Sequence, residues 1–382
     1  MSIAPGLTLL TKMAALSEAP EGAPRRLFLV SIPRTASNLL VKVLGIREQP
    51  KVLTNHKAGY FFQDAFLATV AKGYAMKPLS QWTAEEKAEI LSIYQTCIDN
   101  LESSSAEARS HGKIFFTKEH AFSFANPSTM HSLPSSPSNR DQNDNALDDF
   151  FRLRLPSSFG PDSDPTTQTF SPQNKTLFPD AYLSTWQFAF IIRHPALAWP
   201  SMYRAMQKVA RTHMLDEQGA KATAGLNMSW RWTQWLYDWS CEHQTALKPV
   251  ILDASDVIRD QGVVLKFCEI TGLDKGVVRF EWGGAGAQGG NGTKEIAEAW
   301  EGQKGNDFWD GESMDEAARI MTDTLRASKG VMQEKAPAEV DVEAEKEKWK
   351  EEFGAEVAEW LLGMVVAEMP DYEYLRARRL RA

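Results

Sequence analysis

The 382-residue chain is 43% hydrophobic and 10% aromatic, enough to bury a substantial core as one large or two ordinary domains. Its 42 basic and 50 acidic side chains leave a net charge of −8, which argues against whole-protein attraction to nucleic acid or anionic membrane and makes any anion site a local one. Cys97, Cys241 and Cys268 lie far apart with no C-x-x-C pair or His at ligand spacing, and no apolar run reaches transmembrane length. The composition therefore excludes a disulfide scaffold and a structural zinc, and reads as a soluble chain of a reducing, cytoplasmic compartment.

Residues 1–24 hold Pro5, Pro20 and Pro24 among small residues and read as a flexible lead-in to a single domain over 25–382. LFLVSI (27–32) has the apolar run of a buried strand, and SNLLVKVLG (37–45) that of a helix ended by Gly45. KVLT (51–54) is a second strand candidate, followed by a long helical region from Gly59 to about Ser103 in which Thr83-Ala84-Glu85-Glu86 resembles a helix start. GKIFFTKEH (112–120) is the third strand. Ser, Pro, Asn and Asp then dominate 123–178, predicting a disordered insertion that leaves the core after one strand and returns before the next. WQFAFIIRH (186–194) and KPVILDAS (248–255) complete the strands, with helices predicted over 196–214, 257–272 and 337–362 and a C-terminal helical region over 295–382. Alternating strands and helices predict an α/β fold, a parallel sheet flanked by helices.

A strand that turns tightly into a helix aims backbone N–H groups and a positive helix end at one spot, which suits a phosphate or sulfate. The turn here, I-P-R-T-A-S-N, supplies Arg34 as a fixed-charge fork and Thr35, Ser37 and Asn38 as short hydrogen-bonding groups. The plainer alternative has Ser37 capping the helix and Arg34 in solvent. FAFIIRHPALAWPSMYRAM repeats the logic, with Arg193 at a strand end, where ligands bind in parallel sheets, and Ser201 eight residues on. Taken alone, Arg193 could equally pair with a surface carboxylate. GGAGAQGGNGTKE (283–295) has the glycines of a Walker A loop but Gly-Thr-Lys in place of Gly-Lys-Ser/Thr, and reads as a flexible loop. Arg204, Lys208 and Arg211 form a basic stripe at helical spacing, and Trp230, Trp232, Trp235 and Trp239 read as core.

On these motifs the chain resembles the sulfotransferase family, P-loop-like enzymes that use 3′-phosphoadenosine 5′-phosphosulfate (PAPS), and is most like its divergent fungal or bacterial members. IPRTASNLL matches the family's phosphosulfate loop with Arg34 in the basic position, and Arg193 with Ser201 reproduces its 3′-phosphate pair. The resemblance covers Arg25 to about Asp274, and implies a donor site made of Arg34, Thr35, Ala36, Ser37, Asn38, Arg193 and Ser201. Ala36 stands where the family usually has Gly, and an alanine resists φ > 0, which leaves room for a differently shaped loop. LRASKG (325–330), with Lys329 and Gly330, is the nearest counterpart of the family's C-terminal Arg-Lys-Gly loop.

The implied reaction moves a sulfuryl group from PAPS to a hydroxyl or amine of a small-molecule acceptor, secondary metabolites included, with no metal. His120 is the expected base, Glu119 the alternative, and Lys118 the charge for the bridging oxygen; Arg34 also acts on the leaving group. His56, Tyr60 and Phe61 are expected on the substrate wall. Two other functions fit the same motifs: a nucleotide-binding protein of this fold without transferase activity, and a P-loop kinase or NTPase. No nucleic acid or membrane partner is expected, and the oligomeric state is not legible.

Overall fold

Five strands form one parallel sheet in the order β2-β3-β1-β4-β5: β1 at Arg26–Ser31, β2 at Val52–Leu53, β3 at Ile114–His120, β4 at Gln187–Ile192 and β5 at Val250–Asp253. The computed structural model describes residues 25–55, 57, 59–74, 77–130, 147–211, 227–243, 248–282 and 311–382. The lead-in 1–24, His56, the glycine-rich stretch 283–295 and residues 296–310 of the expected C-terminal helical region lie outside the described residues. Each expected strand is present, trimmed at its ends, and the α/β reading holds.

Because strand side chains alternate, the sheet divides its apolar residues between two cores. Phe28, Val30, Phe115, Phe188 and Phe190 face one side, covered by α3 (Ala84–Ser110) and α5 (Arg231–His243). Leu27, Leu29, Phe116, Ala189, Ile191 and Leu252 face the other, covered by α1 (Ser37–Val43) and α7 (Gln261–Thr271). Between these lie α2 (Gln63–Ala71), α4 (Pro195–Ala210) and α6 (Ala254–Arg259), and α8 (Gly311–Ala327), α9 (Val342–Phe353) and α10 (Ala355–Ala377) close the chain. Trp230, Trp232 and Trp239 are buried in the first core and Trp235 packs half-buried against it.

Local chemistry sets the helix boundaries. The Thr83 hydroxyl accepts the Glu86 N–H at 3.2 Å while the Glu86 carboxylate accepts the Thr83 N–H at 2.8 Å, a capping box that opens α3. The helix expected over 257–272 divides at Asp260, whose extended backbone breaks α6 and whose side chain caps α7 through the Gly262 N–H. The helix expected over 337–362 breaks at Gly354, where φ is 90°, and then runs on to Ala377. Beyond α10 the Leu380 N–H donates to the Ile251 carbonyl of the edge strand β5 at 2.7 Å, and Lys266 holds the Arg381 carbonyl at 2.7 Å.

The insertion 123–178 is not disordered where it is described. Phe124, Phe151, Leu153, Leu177 and Phe178 are wholly buried in the first core, so the few apolar residues of the segment suffice to anchor it. Its polar residues make turns in place of loose coil: Asn174 accepts the Thr176 N–H at 3.0 Å, and Asp180 accepts both the Ser171 N–H at 2.7 Å and the Trp239 indole N–H at 3.0 Å. Residues 131–146 lie outside the described ones.

Candidate active site

Between β1 and α1 the chain turns through two non-glycine residues in the left-handed region, Arg34 at φ 68° and Ala36 at φ 63°. The expected resistance of alanine at position 36 is overcome rather than avoided, at a cost of about 1–2 kcal/mol per such residue. The Thr35 hydroxyl helps to hold the turn by donating to the Ile32 carbonyl at 2.8 Å. No side chain caps α1 at Ala36 and no acidic residue occupies its first turn, so its opening amides present partial positive charge to the space beyond.

That space is a cavity of about 500 Å³. Pro33, Arg34, Ala36, Ser37 and Asn38 line it, together with Arg193, Ser201, Tyr60 and His120. The remainder is mainly apolar: Phe66, Leu67 and Val70 from α2, Phe122 just after β3, Met202 and Met206 from α4, and Ile320 from α8. The rim carries two members of the basic stripe, Arg204 paired with Glu352 and Lys208 3.8 Å from Asp323.

Two half-buried cations, Arg34 and Arg193, line this cavity, and a third, Lys118, lies fully buried behind its wall. Arg34 Nε donates to Ser201 Oγ at 2.9 Å and its Nη1 to the Met321 carbonyl at 2.6 Å. Arg193 donates to the carbonyls of Arg34 at 3.1 Å and Lys335 at 3.3 Å. The Lys118 ammonium, fully buried, donates to Asn38 Oδ1 and lies 4.3 Å from the centre of the Tyr60 ring. None of the three pairs with a carboxylate among the described residues. Burial accordingly lowers all three: Lys118 to about 7, Arg193 to about 10 with help from Arg34, and Arg34 with help from Arg204.

His120 ends β3 beside Ser31, the residue that ends β1. Its Nδ1 is 3.0 Å from Ser31 Oγ and its Nε2 is 3.1 Å from Tyr60 Oη. Burial, and then the neighbouring Lys118, depress its pKa to about 3, so the ring is neutral near pH 7. Tyr60 is held in place from its backbone. Asn55 donates to the Tyr60 carbonyl at 2.6 Å and accepts the Gly59 N–H at 2.8 Å, and Gly59, at φ 100°, touches β3 so closely that a Cβ would stand 2.7 Å from the Lys118 backbone nitrogen.

Several expected residues lie elsewhere. Glu119 points to the opposite face of β3 from Lys118 and His120, as alternation requires, and does not line the cavity. Its carboxylate accepts the Phe61 and Phe62 N–H groups, and burial raises its pKa to about 8. Phe61 is core rather than substrate wall, packed edge-on against Phe115 at 5.8 Å. Thr35 has its hydroxyl in the turn, not in the cavity. Gly330 reaches the cavity but Lys329 does not; its carbonyl accepts the Trp282 N–H at 2.9 Å in a bridge between 281 and 330.

Sequence reasoning missed Ser31, Asn55 and Lys335. The first was legible as the polar end of an apolar strand, whereas Lys335 is brought to Arg193 by tertiary folding without a local signal. No cluster of His, Cys, Asp or Glu fit to hold a metal occurs among the described residues, and no described helix is long and apolar enough to cross a membrane.

No family model matches the chain. It is 31% identical over 376 residues to sulfotransferase ppzF of Metarhizium majus (strain ARSEF 297), covering 95% of this chain and 99% of that protein. It is also 31% identical over 381 residues to sulfotransferase ppzF of Metarhizium rileyi (strain RCEF 4871), covering 95% and 98%. Among solved structures, it is similar to a sulfotransferase domain from the curacin biosynthetic pathway, with a TM-score of 0.35, 11% identity and coverage of 86% and 97%. A sulfotransferase domain from the Synechococcus PCC 7002 olefin synthase has a TM-score of 0.30 at 11% identity, with coverage of 88% and 97%. With near-complete alignment to two curated sulfotransferases, and with a basic, His-bearing cavity at the strand ends, the chain belongs to the sulfotransferase family and is a transferase.

Proposed function

We propose that the protein transfers the sulfuryl group of PAPS to a hydroxyl, or an amine, of a small-molecule acceptor. The observation that carries this reading is the set of three cations, Arg34 and Arg193 half-buried on the cavity wall and Lys118 buried behind it against Asn38, none ion-paired with a carboxylate among the described residues. Buried charge without a counter-charge is costly, and an anionic ligand with several phosphate or sulfate oxygens supplies one.

In this reading Arg193 and Ser201 hold the 3′-phosphate, while Arg34 and the amides of the 33–38 turn hold the phosphosulfate. PAPS supplies an activated sulfuryl group. Lys118 stabilises the charge that develops on the leaving phosphate oxygen, and His120 takes the acceptor's proton. Low basicity of His120 stems from burial and from Lys118, and an anion beside that lysine offsets the second cause. The apolar side of the cavity, from Phe66 to Met206, suits an acceptor with an apolar body.

The test combines PAPS with a panel of aromatic and aliphatic alcohols and amines, read as sulfated product by mass spectrometry. His120→Ala should retain affinity for adenosine 3′,5′-bisphosphate and lose roughly 10²–10⁴-fold in turnover. Tight bisphosphate binding by the native protein with no product from any acceptor would leave a binding protein of the same fold.

A further inference from the structure

The geometry points to Tyr60 as a second catalytic residue, a relay that carries the acceptor's proton to His120 Nε2. The inference rests on the sulfuryl-transfer reading and adds to it the route of the proton.

The relay assigns the tautomer with the ring proton on His120 Nδ1 and the free lone pair on Nε2. In that tautomer Ser31 Oγ, 3.0 Å from Nδ1, accepts from it and donates its own proton to the Glu119 carbonyl at 3.3 Å. That lone pair faces the Tyr60 hydroxyl at 3.1 Å, which donates to it. Phe122 covers one face of the imidazole, stacked at 5.5 Å and 28°, and the Tyr60 ring sits 5.3 Å from it on a tilt of 59°. The edge through which His120 must act is thus occupied by the phenol of a residue that itself lines the cavity.

Swinging Tyr60 aside would be costly. Its ring is under Lys118, its carbonyl is bonded to Asn55, and the Gly59 carbonyl before it accepts from the Lys118 N–H at 3.1 Å and the Thr117 hydroxyl at 2.7 Å. A relay needs no such movement. As the acceptor oxygen bonds to sulfur, its proton passes to Tyr60 Oη while the Tyr60 proton passes to His120 Nε2. The bond from sulfur to the bridging phosphate oxygen breaks with its electron pair on that oxygen, and Lys118, held against Asn38 of the cavity wall, supplies the positive charge that stabilises it. Tyr60 begins and ends as a neutral phenol, and His120 ends as imidazolium. Burial, and then the Glu119 charge, hold the phenol's pKa well above its ordinary value, which favours one concerted movement over a free phenolate.

Two acceptors separate this role from a structural one: benzyl alcohol, whose hydroxyl must lose a proton, and p-nitrophenol at pH 8, which is already ionised. Tyr60→Phe keeps the ring against Lys118 and His120. It should lower turnover of benzyl alcohol roughly 10²-fold, leave p-nitrophenol turnover near native, and leave adenosine 3′,5′-bisphosphate affinity unchanged. Equal loss with both acceptors overturns the relay, as does full benzyl alcohol turnover in Tyr60→Phe alongside a dead His120→Ala. If Tyr60→Phe does not fold, a fluorinated tyrosine at position 60 keeps the hydroxyl but lowers its pKa. The rate for benzyl alcohol then changes with the acidity of the substituted phenol while the rate for p-nitrophenol does not, and rates for both acceptors that are insensitive to fluorination overturn the relay. Failure of the native protein to consume PAPS with these two acceptors or with any alcohol or amine of the wider panel sinks the sulfuryl-transfer reading itself, and the relay with it.

Discussion

Lys118 has a pKa of about 7 because burial disfavours its charge, so near neutrality it is divided between its two forms. An anionic ligand requires the charged form. Below pH 7 the ammonium is already present and binding takes up no proton; above pH 7 the amine is neutral and binding must first protonate it. Affinity for adenosine 3′,5′-bisphosphate should therefore fall as pH rises beyond about 7, by up to about tenfold per pH unit for one linked proton. Titration calorimetry in two buffers of different ionisation enthalpy should register proton uptake at pH 8, and Lys118→Met should abolish it while weakening binding. Equal affinity at pH 6.5 and pH 8.5 would show that another group sets the charge of the site. At this scale much was legible: Arg34, Arg193, Ser201 and His120 could be picked out because strand ends in a parallel sheet converge on one crevice. Glu119 could have been set aside by the same logic, since residues 118 and 120 share a face of a strand that residue 119 cannot. Tyr60's bond to His120 could not be foreseen, because it depends on the Asn55–Gly59 turn pressed against β3.

Elements are joined by ion pairs as well as by apolar contact, and the strongest test lies where β1 meets α3. Arg26 of β1, 4% exposed, pairs with Glu102 of α3, and the Tyr182 hydroxyl donates to the same carboxylate at 2.6 Å. The guanidinium also stacks over the Trp186 ring at 3.8 Å and donates to Thr185 at 2.9 Å. Glu102→Ala leaves a buried guanidinium without its counter-charge and should destabilise the fold by about 3–5 kcal/mol, measured by urea denaturation. A change below 1 kcal/mol would mean that water reaches Arg26 in solution. Strand positions were legible from apolar runs such as FAFII, which leave a buried parallel strand few alternatives. Helix breaks at Asp260 and Gly354 were not, because apolar periodicity carries across both and only the cap geometry interrupts it.

Across the whole molecule the insertion is the clearest case of composition misleading. Turn-forming residues and unstructured residues are the same residues, and only the pairing of Asn174 with Thr176, or of Asp180 with Trp239, separates them. Leu153, wholly buried, should then cost about 2–5 kcal/mol when changed to Ala, and deletion of 147–178 should yield no soluble folded protein. A Leu153→Ala variant that melts with the native protein would return the segment to the status of a loose excursion. The tail that bonds Leu380 to Ile251 has a consequence for how copies of the protein treat one another. β5 ends the sheet, and a bare edge strand is a template on which a second chain can add. Removing residues 378–382 should leave the cavity and its turnover as they are, yet make the protein associate as its concentration rises, visible as growth in light scattering. Equal scattering from the truncated and native chains across the same concentrations would show that β5 is guarded by other means.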